Sequence, residues 1–176
     1  MTDAEFTRAC RSVTLLLFDC DGVLADGAII HGSDGFEMKR FSARDGMGID
    51  LWRRAGHTCG CISGRSAEAL TKRAAELHFE ELHQQVSNKR VVLAEILKRR
   101  GLEKQQVAYI GDDVNDLPMV GHVGLFMTPA DAHVAARDRA DRVLTLPGGN
   151  GAIREAVDLI LTARNELDPL TKAYLG

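Results

Sequence analysis

The sequence predicts an α/β protein, a parallel sheet with helices on both faces, and three observations lead there. Short leucine-rich and β-branched runs alternate with segments of helical periodicity. Several of the apolar runs stop at acidic, hydroxyl-bearing or glycine residues, as expected where the carboxyl ends of parallel strands collect ligands. The 176 residues are 45 % hydrophobic with a formal net charge of −3, which suits one domain spanning 1–176 with a real core.

The first run, 13–19, ends at Asp19-Cys20-Asp21-Gly22. Side chains alternate along a strand, so Asp19 and Asp21 should project the same way. Two converging acids repel unless a cation or a proton lies between them. The pair therefore predicts a metal site. Residues 27–42, GAIIHGSDGFEMKRFS, break the alternation and read as a β-hairpin about a Gly-Ser-Asp-Gly turn. A helix is expected over 47–56, with Trp52, Ile49 and Ala55 on its core side. Arg44-Asp45-Gly46 ahead of it suits a helix cap and a substrate or subunit contact equally.

The next strand, 58–62, runs into Ser63-Gly64-Arg65. A hydroxyl, a glycine amide and a helix N-terminus together make an anion cradle. Ala67, Leu70, Ala74 and Leu77 set the stripe of a helix over 66–78. Lys89 opens another, over 89–100, with Val92, Leu93, Ile96 and Leu97 inward and Gly101 as its C-cap. The strand at 106–110 leads into Gly111-Asp112-Asp113-Val114-Asn115-Asp116, where Asp116 is placed to cap a short helix over 116–120 that Pro118 enters. Strands near 122–126 and 142–146 and helices over 131–137 and 151–164 complete a Rossmann-like order. Gly148-Gly149-Asn150-Gly151 reads as a connecting loop that could also cradle an anion. The tail, 167–176, is expected to be mobile unless a neighbouring chain orders it.

Several function classes fall away. No basic block marks a nucleic-acid surface. No apolar run approaches the ~20 residues that cross a bilayer, and the first residues lack a secretory apolar core, so a cytoplasmic protein is expected. Cys10, Cys20, Cys59 and Cys61 read as buried, reduced thiols, and the six histidines show no ligand spacing.

Singly, each polar motif has a bland explanation in turns, caps and solubility. Together, in this order and at one sheet edge, they resemble the haloacid dehalogenase-like phosphatase superfamily. That resemblance implies a phosphatase with Asp19 as nucleophile, Asp21 as general acid/base, Ser63 on the transferring phosphoryl group and Lys89 steadying both. It also implies Mg²⁺ held by Asp19, Asp112 and the backbone carbonyl of Asp21, with Asp113, Asn115 and Asp116 in support. The intervals from Asp21 to Ser63 and from Ser63 to Lys89 leave no room for a cap domain, so the hairpin is the natural cover for this site or a neighbour's.

The stretches DCDGVLADG, FSARDGMGI, ISGRSA, SNKRVVL, VAYIGDDVND, ADAH, ADRVLT and GGNGAIREAVDLIL are more closely similar to the capless family of 3-deoxy-D-manno-octulosonate 8-phosphate phosphatases. This implies a phosphorylated acidic sugar as substrate, a role in lipopolysaccharide biosynthesis, and a homotetramer in which the hairpin serves a neighbouring site. It also implies Gly64, Arg65 and Arg73 at the substrate, arginine being suited to carboxylate or phosphate. A nine-carbon sialic-acid-type sugar phosphate shares every motif, and a silent regulatory relative is the reading from another class. The chain departs from the family at Gln84-Gln85-Val86-Ser87-Asn88, where a Gln-Gly pair is usual; losing that glycine should alter the loop that aims Lys89.

Overall fold

The structure, a computed structural model, describes residues 1–33 and 35–175. Its main sheet has six parallel strands in the order β5-β4-β1-β6-β7-β8. These are β1 (Leu15–Phe18), β4 (Thr58–Ile62), β5 (Glu81–His83), β6 (Val107–Ile110), β7 (Leu125–Thr128) and β8 (Arg142–Val143). A two-stranded antiparallel hairpin, β2 (Ile30–His31) and β3 (Glu37–Met38), follows β1. Asp34, in its expected turn, lies outside the described residues, as does Gly176 of the tail.

The helices are α1 (Asp3–Ser12), α2 (Ala43–Arg54), α3 (Glu68–Glu76), α4 (Lys89–Arg100), α5 (Val134–Arg137), α6 (Ala152–Ala163) and α7 (Leu167–Lys172). Alternation along the strands sorts the core into two layers. Leu16 and Phe18 face α1, α2 and α6, packing with Trp52, Ile153 and Val157. Leu15 and Leu17 face α4 and meet Leu93, Ile96, Tyr109 and Phe126. The chain steps from β1 outward through β4 and β5, then returns to build β6, β7 and β8 on the other side. The switch point lies at the carboxyl end of β1, where crevices open in such sheets.

Several elements differ from the sequence reading. Helix α1 was not expected, yet Thr2 and Glu5 form a reciprocal capping box, and Phe6 and Cys10 bury one turn apart. Strand β5 is three residues long and carries two charge-bearing positions, so periodicity gives no signal for it. Strand β7 begins at Leu125 rather than 122 because a turn occupies the preceding residues and Gly124 lies against the Gln105 backbone. Helix α2 starts at Ala43, where the Ser42 hydroxyl accepts the N–H groups of Arg44 and Asp45. Residues 167–172, expected to belong to a mobile tail, form α7 because Leu167 and Leu170 pack against the core.

Candidate active site

The alternation that puts Leu15 and Leu17 on the α4 face carries one step further to Asp19. Its N–H still donates to Ile110 O, 3.0 Å away, so the strand geometry persists to this residue. Asp19 is therefore aimed at the first turn of α4, where Asn88 caps the helix and Lys89 is its first residue. Lys89 Nζ lies 2.9 Å from Asp19 Oδ1 and 2.6 Å from Asp116 Oδ1. All three side chains are buried; Lys89 is 2 % exposed. Burial opposes the ammonium charge, but Asp116 and Asp19 outweigh it and hold the lysine above its ordinary pKa.

Asp116 was expected to cap a helix over 116–120, and the structure corrects this. Asp113 is the cap, of a 3₁₀ turn over Val114–Met119, and Asp116 is the third residue in. Its carboxylate is saturated: Oδ1 accepts from Lys89 and from the Tyr109 hydroxyl (2.7 Å), and Oδ2 from the N–H groups of Asp112 (2.9 Å) and Asp113 (3.3 Å). Asp116 thus joins the lysine to the acidic loop and has no lone pair left for a cation.

Asp112 stands differently. Its Oδ1 is buried without a hydrogen-bond partner, and carboxylate oxygens of Asp19, Asp112 and Asp116 lie within 4.8 Å of one another. Burial first, then the neighbouring charges of Asp116, Asp19 and Asp113, push Asp112 up to about 8. Burial and Asp116 raise Asp19 to about 6 against the pull of Lys89. Two inward acids that resist ionisation, one with an orphaned oxygen, fit a hard divalent cation between them.

A cleft of about 300 Å³ opens over these groups and is lined also by Asp21, Ser63, Gly64, Arg65, Asp113 and Asn115. Ser63 N–H is pinned to His83 O of β5, and its Oγ accepts from Arg65 N–H at 3.2 Å. The hydroxyl proton is thereby free to point into the cleft. Asp113 and Asn115 line the rim and are exposed. A larger groove, about 630 Å³, runs between α1 and α6 past Phe6, Arg142 and Leu159. It lacks convergent strand-end acids, and convergence of polar groups rather than volume marks a site.

Asp21 lines the same cleft as Asp19. After Asp19 the chain turns at Cys20, and the Asp21 carboxylate ion-pairs with Lys39 of the hairpin. Lys39 also lies 3.2 Å from Glu37, which accepts from Arg65 Nη2 at 2.8 Å. Glu37, Lys39 and Tyr109 were missed. The Glu-x-Lys spacing on an expected strand was the available signal for the first two; Tyr109 offered none, since an aromatic in a core strand reads as packing. Arg73 does not line the cleft. Its Nη2 donates to Ser42 O, its Nη1 pairs with Glu76, and its guanidinium sits 5.8 Å from the Phe41 ring centroid, tying α3 to the start of α2.

Other motifs resolve structurally. Asp45, fully buried, accepts the N–H groups of Gly151 (3.0 Å) and Arg154 (2.9 Å), capping α6 from α2 because Gly151 brings no side chain. Gln85 adopts a left-handed φ of 58°, and Val86 N–H still donates to Ser63 O at 3.0 Å. The loop before Lys89 thus contains a left-handed turn that glycine would make without strain. The four cysteines are buried and unpaired, and burial raises Cys10 to about 11 and Cys59 to about 12.

Comparison with known proteins agrees with this geometry. Residues 77–154 match the haloacid dehalogenase-like hydrolase family. The chain is 39 % identical over 165 residues to the 3-deoxy-D-manno-octulosonate 8-phosphate phosphatase KdsC of Escherichia coli K12, covering 94 % of this chain and 88 % of that protein. This chain belongs to that phosphatase family.

Crystal structures of family members superpose closely. The Yersinia pestis 3-deoxy-D-manno-octulosonate 8-phosphate phosphatase aligns with a TM-score of 0.91 at 40 % identity, over 93 % of this chain and 89 % of that one. The Moraxella catarrhalis enzyme, solved with magnesium, phosphate and the sugar acid, aligns at 0.95 and 34 % identity, over 98 % and 99 %. The family is one of phosphoric monoester hydrolases, and this chain is such an enzyme. It carries the hairpin and, among the described residues, no cap domain, and the similar structures also lack a cap. No helix among these residues is long and apolar enough to cross a membrane.

Proposed function

We propose that this chain hydrolyses 3-deoxy-D-manno-octulosonate 8-phosphate to the free sugar acid and phosphate, with Asp19 carrying the phosphoryl group between two displacements and Mg²⁺ as the resident cation. The observation that carries the reading is the buried Lys89–Asp19 contact of 2.9 Å, opening onto a cleft that Ser63, Gly64 and Asp112 also line.

An Asp19 oxygen attacks phosphorus as the sugar oxygen departs on the opposite side. Lys89 donates to Asp19 and holds it ionised and aimed, while Asp116 and Tyr109 keep the lysine from swinging away. The Ser63 hydroxyl and the Gly64 N–H take up phosphoryl oxygens. Asp21, paired with Lys39 in this structure, first takes up a proton as substrate displaces that partner; it passes the proton to the leaving oxygen, then removes one from the water that splits the acyl phosphate, which restores Asp19 and releases phosphate. A cation held by Asp19, Asp112 and the Asp21 carbonyl supplies charge neutralisation, without which a carboxylate could not approach a phosphate. Arg65, at the mouth of the cleft, suits the carboxylate of the sugar acid. The product would supply the inner sugar of bacterial lipopolysaccharide in the cytoplasm.

Assembly as a homotetramer goes with this reading, with the exposed Ile30 and Met38 of the hairpin buried between subunits. Light scattering at micromolar concentration should report four chains; a monomer would remove the shared-site element. The test of the reaction is phosphate release from a panel of acidic and neutral sugar phosphates, with Mg²⁺ and with chelator. The octulosonate ester should lead and chelator should stop it. Preference for a nine-carbon acid would replace the substrate, and Asp19→Asn retaining turnover would remove the nucleophile.

A further inference from the structure

The Gly148-Gly149-Asn150-Gly151 loop plays no part in the chemistry above, yet it lies against the loop that carries Asp21. A Cβ on Gly148 would fall 1.8 Å from the Gly22 carbonyl oxygen, and one on Gly149 would fall 2.2 Å from the Asp26 nitrogen. Gly149 N–H donates to Val23 O at 2.8 Å. On its other side Gly22 is as tightly confined, since a Cβ there would fall 2.1 Å from Asp112 Oδ2. The segment at residues 21–23 is therefore wedged between the glycine loop and the acid expected to share its cation.

One further segment grips both halves of this wedge. After β7 the chain runs Pro129-Ala130-Asp131-Ala132-His133. His133 N–H donates to Asp112 O at 2.8 Å, and Asp131 Oδ1 accepts from Gly148 N–H at 2.9 Å. Asp131 is itself exposed and outside the cleft lining.

We infer that Asp131 is a positioning residue for the cation site, acting through Gly148 on the Asp21–Gly22 backbone while its neighbour His133 sets the Asp112 loop. The inference rests on the cation assignment proposed above. Mg²⁺ demands near-ideal octahedral geometry at short distances, so a small drift of one ligand-bearing loop relative to the other costs affinity. Outer groups that orient metal ligands alter affinity by about 10–100-fold when removed. The hydrogen bond, rather than the charge, is what positions: the 21–23 loop is reached through backbone packing.

The experiment is calorimetric titration of Mg²⁺ into chelator-stripped protein, with thermal unfolding in chelator as the check on folding. Asp131→Ala should bind Mg²⁺ about tenfold more weakly, while Asp131→Asn, whose amide oxygen still accepts from Gly148, should stay within about twofold. Asp131→Ala binding as tightly as the parent would overturn the inference, whatever its unfolding midpoint. Equal losses in both variants would also overturn it, because charge and not the hydrogen bond would then be responsible. If the parent protein binds no Mg²⁺, the cation assignment itself falls and this inference with it.

Discussion

Replacing Asp116 by asparagine should damage this protein more than its near-identical shape suggests. In the folded state both carboxylate oxygens are acceptors only, facing Lys89 Nζ and the Tyr109 hydroxyl on one side and the Asp112 and Asp113 N–H groups on the other. An asparagine has one acceptor oxygen and one NH₂ group, so in either flip a donor is pressed against donors. The buried ammonium also loses one of its two counter-charges. Removing one partner of a buried ion pair costs about 3–5 kcal/mol. For a chain of this length each kcal/mol moves the midpoint by about 2–4 °C, which puts the expected drop at about 6–20 °C. Thermal unfolding in chelator measures it, and phosphate release below the midpoint should fall as well because Lys89 is no longer held on Asp19. A midpoint within about 1 °C of the parent would refute the reasoning and mean that Lys89 and Tyr109 find water or each other at no cost.

The acidic pair makes a pH prediction of unusual sign. Asp112 and Asp19 lie above their ordinary values, near 8 and 6, so the folded state holds more protons than the unfolded one between about pH 4 and those values. Stability in chelator should therefore fall as pH rises from 5 to 8, and saturating Mg²⁺ should abolish the slope; a midpoint that climbs over that range in chelator would contradict it. Asp45→Ala leaves the Gly151 and Arg154 N–H groups without their acceptor and should cost about 1–3 kcal/mol by urea unfolding, with KM unchanged. Gln85→Gly removes a left-handed side chain and should stabilise by up to about 1 kcal/mol after the entropy that glycine adds to the unfolded chain, whereas a loss would show that the Gln85 side chain contributes in the folded state.

What the amino-acid order determined by itself was whatever repeats locally or ends abruptly. Leu15–Phe18, Thr58–Ile62 and Val107–Ile110 are apolar enough to be central parallel strands, and each stops at a polar motif. Parallel sheets bring such ends to one edge, so the sequence alone assigns Asp19, Ser63 and Asp112 to the common cleft that all three line. The stripes of α3 and α4 and the Gly101 cap were legible for the same local reason.

Tertiary structure alone decided the partners of long polar side chains, because those contacts join residues far apart in sequence. Asp116 was visible as an acid, but its saturation by Lys89, Tyr109 and two backbone amides depends on how α4 packs against β6. Likewise Asp45 caps a helix more than a hundred residues away, Arg73 reaches Ser42 rather than the cleft, and Asp21 meets Lys39 because the chain turns after β1. Short elements followed the same rule. Three residues of β5 and six of α7 hold their shape through neighbours, since so brief a strand or helix gains too little from its own backbone to form alone.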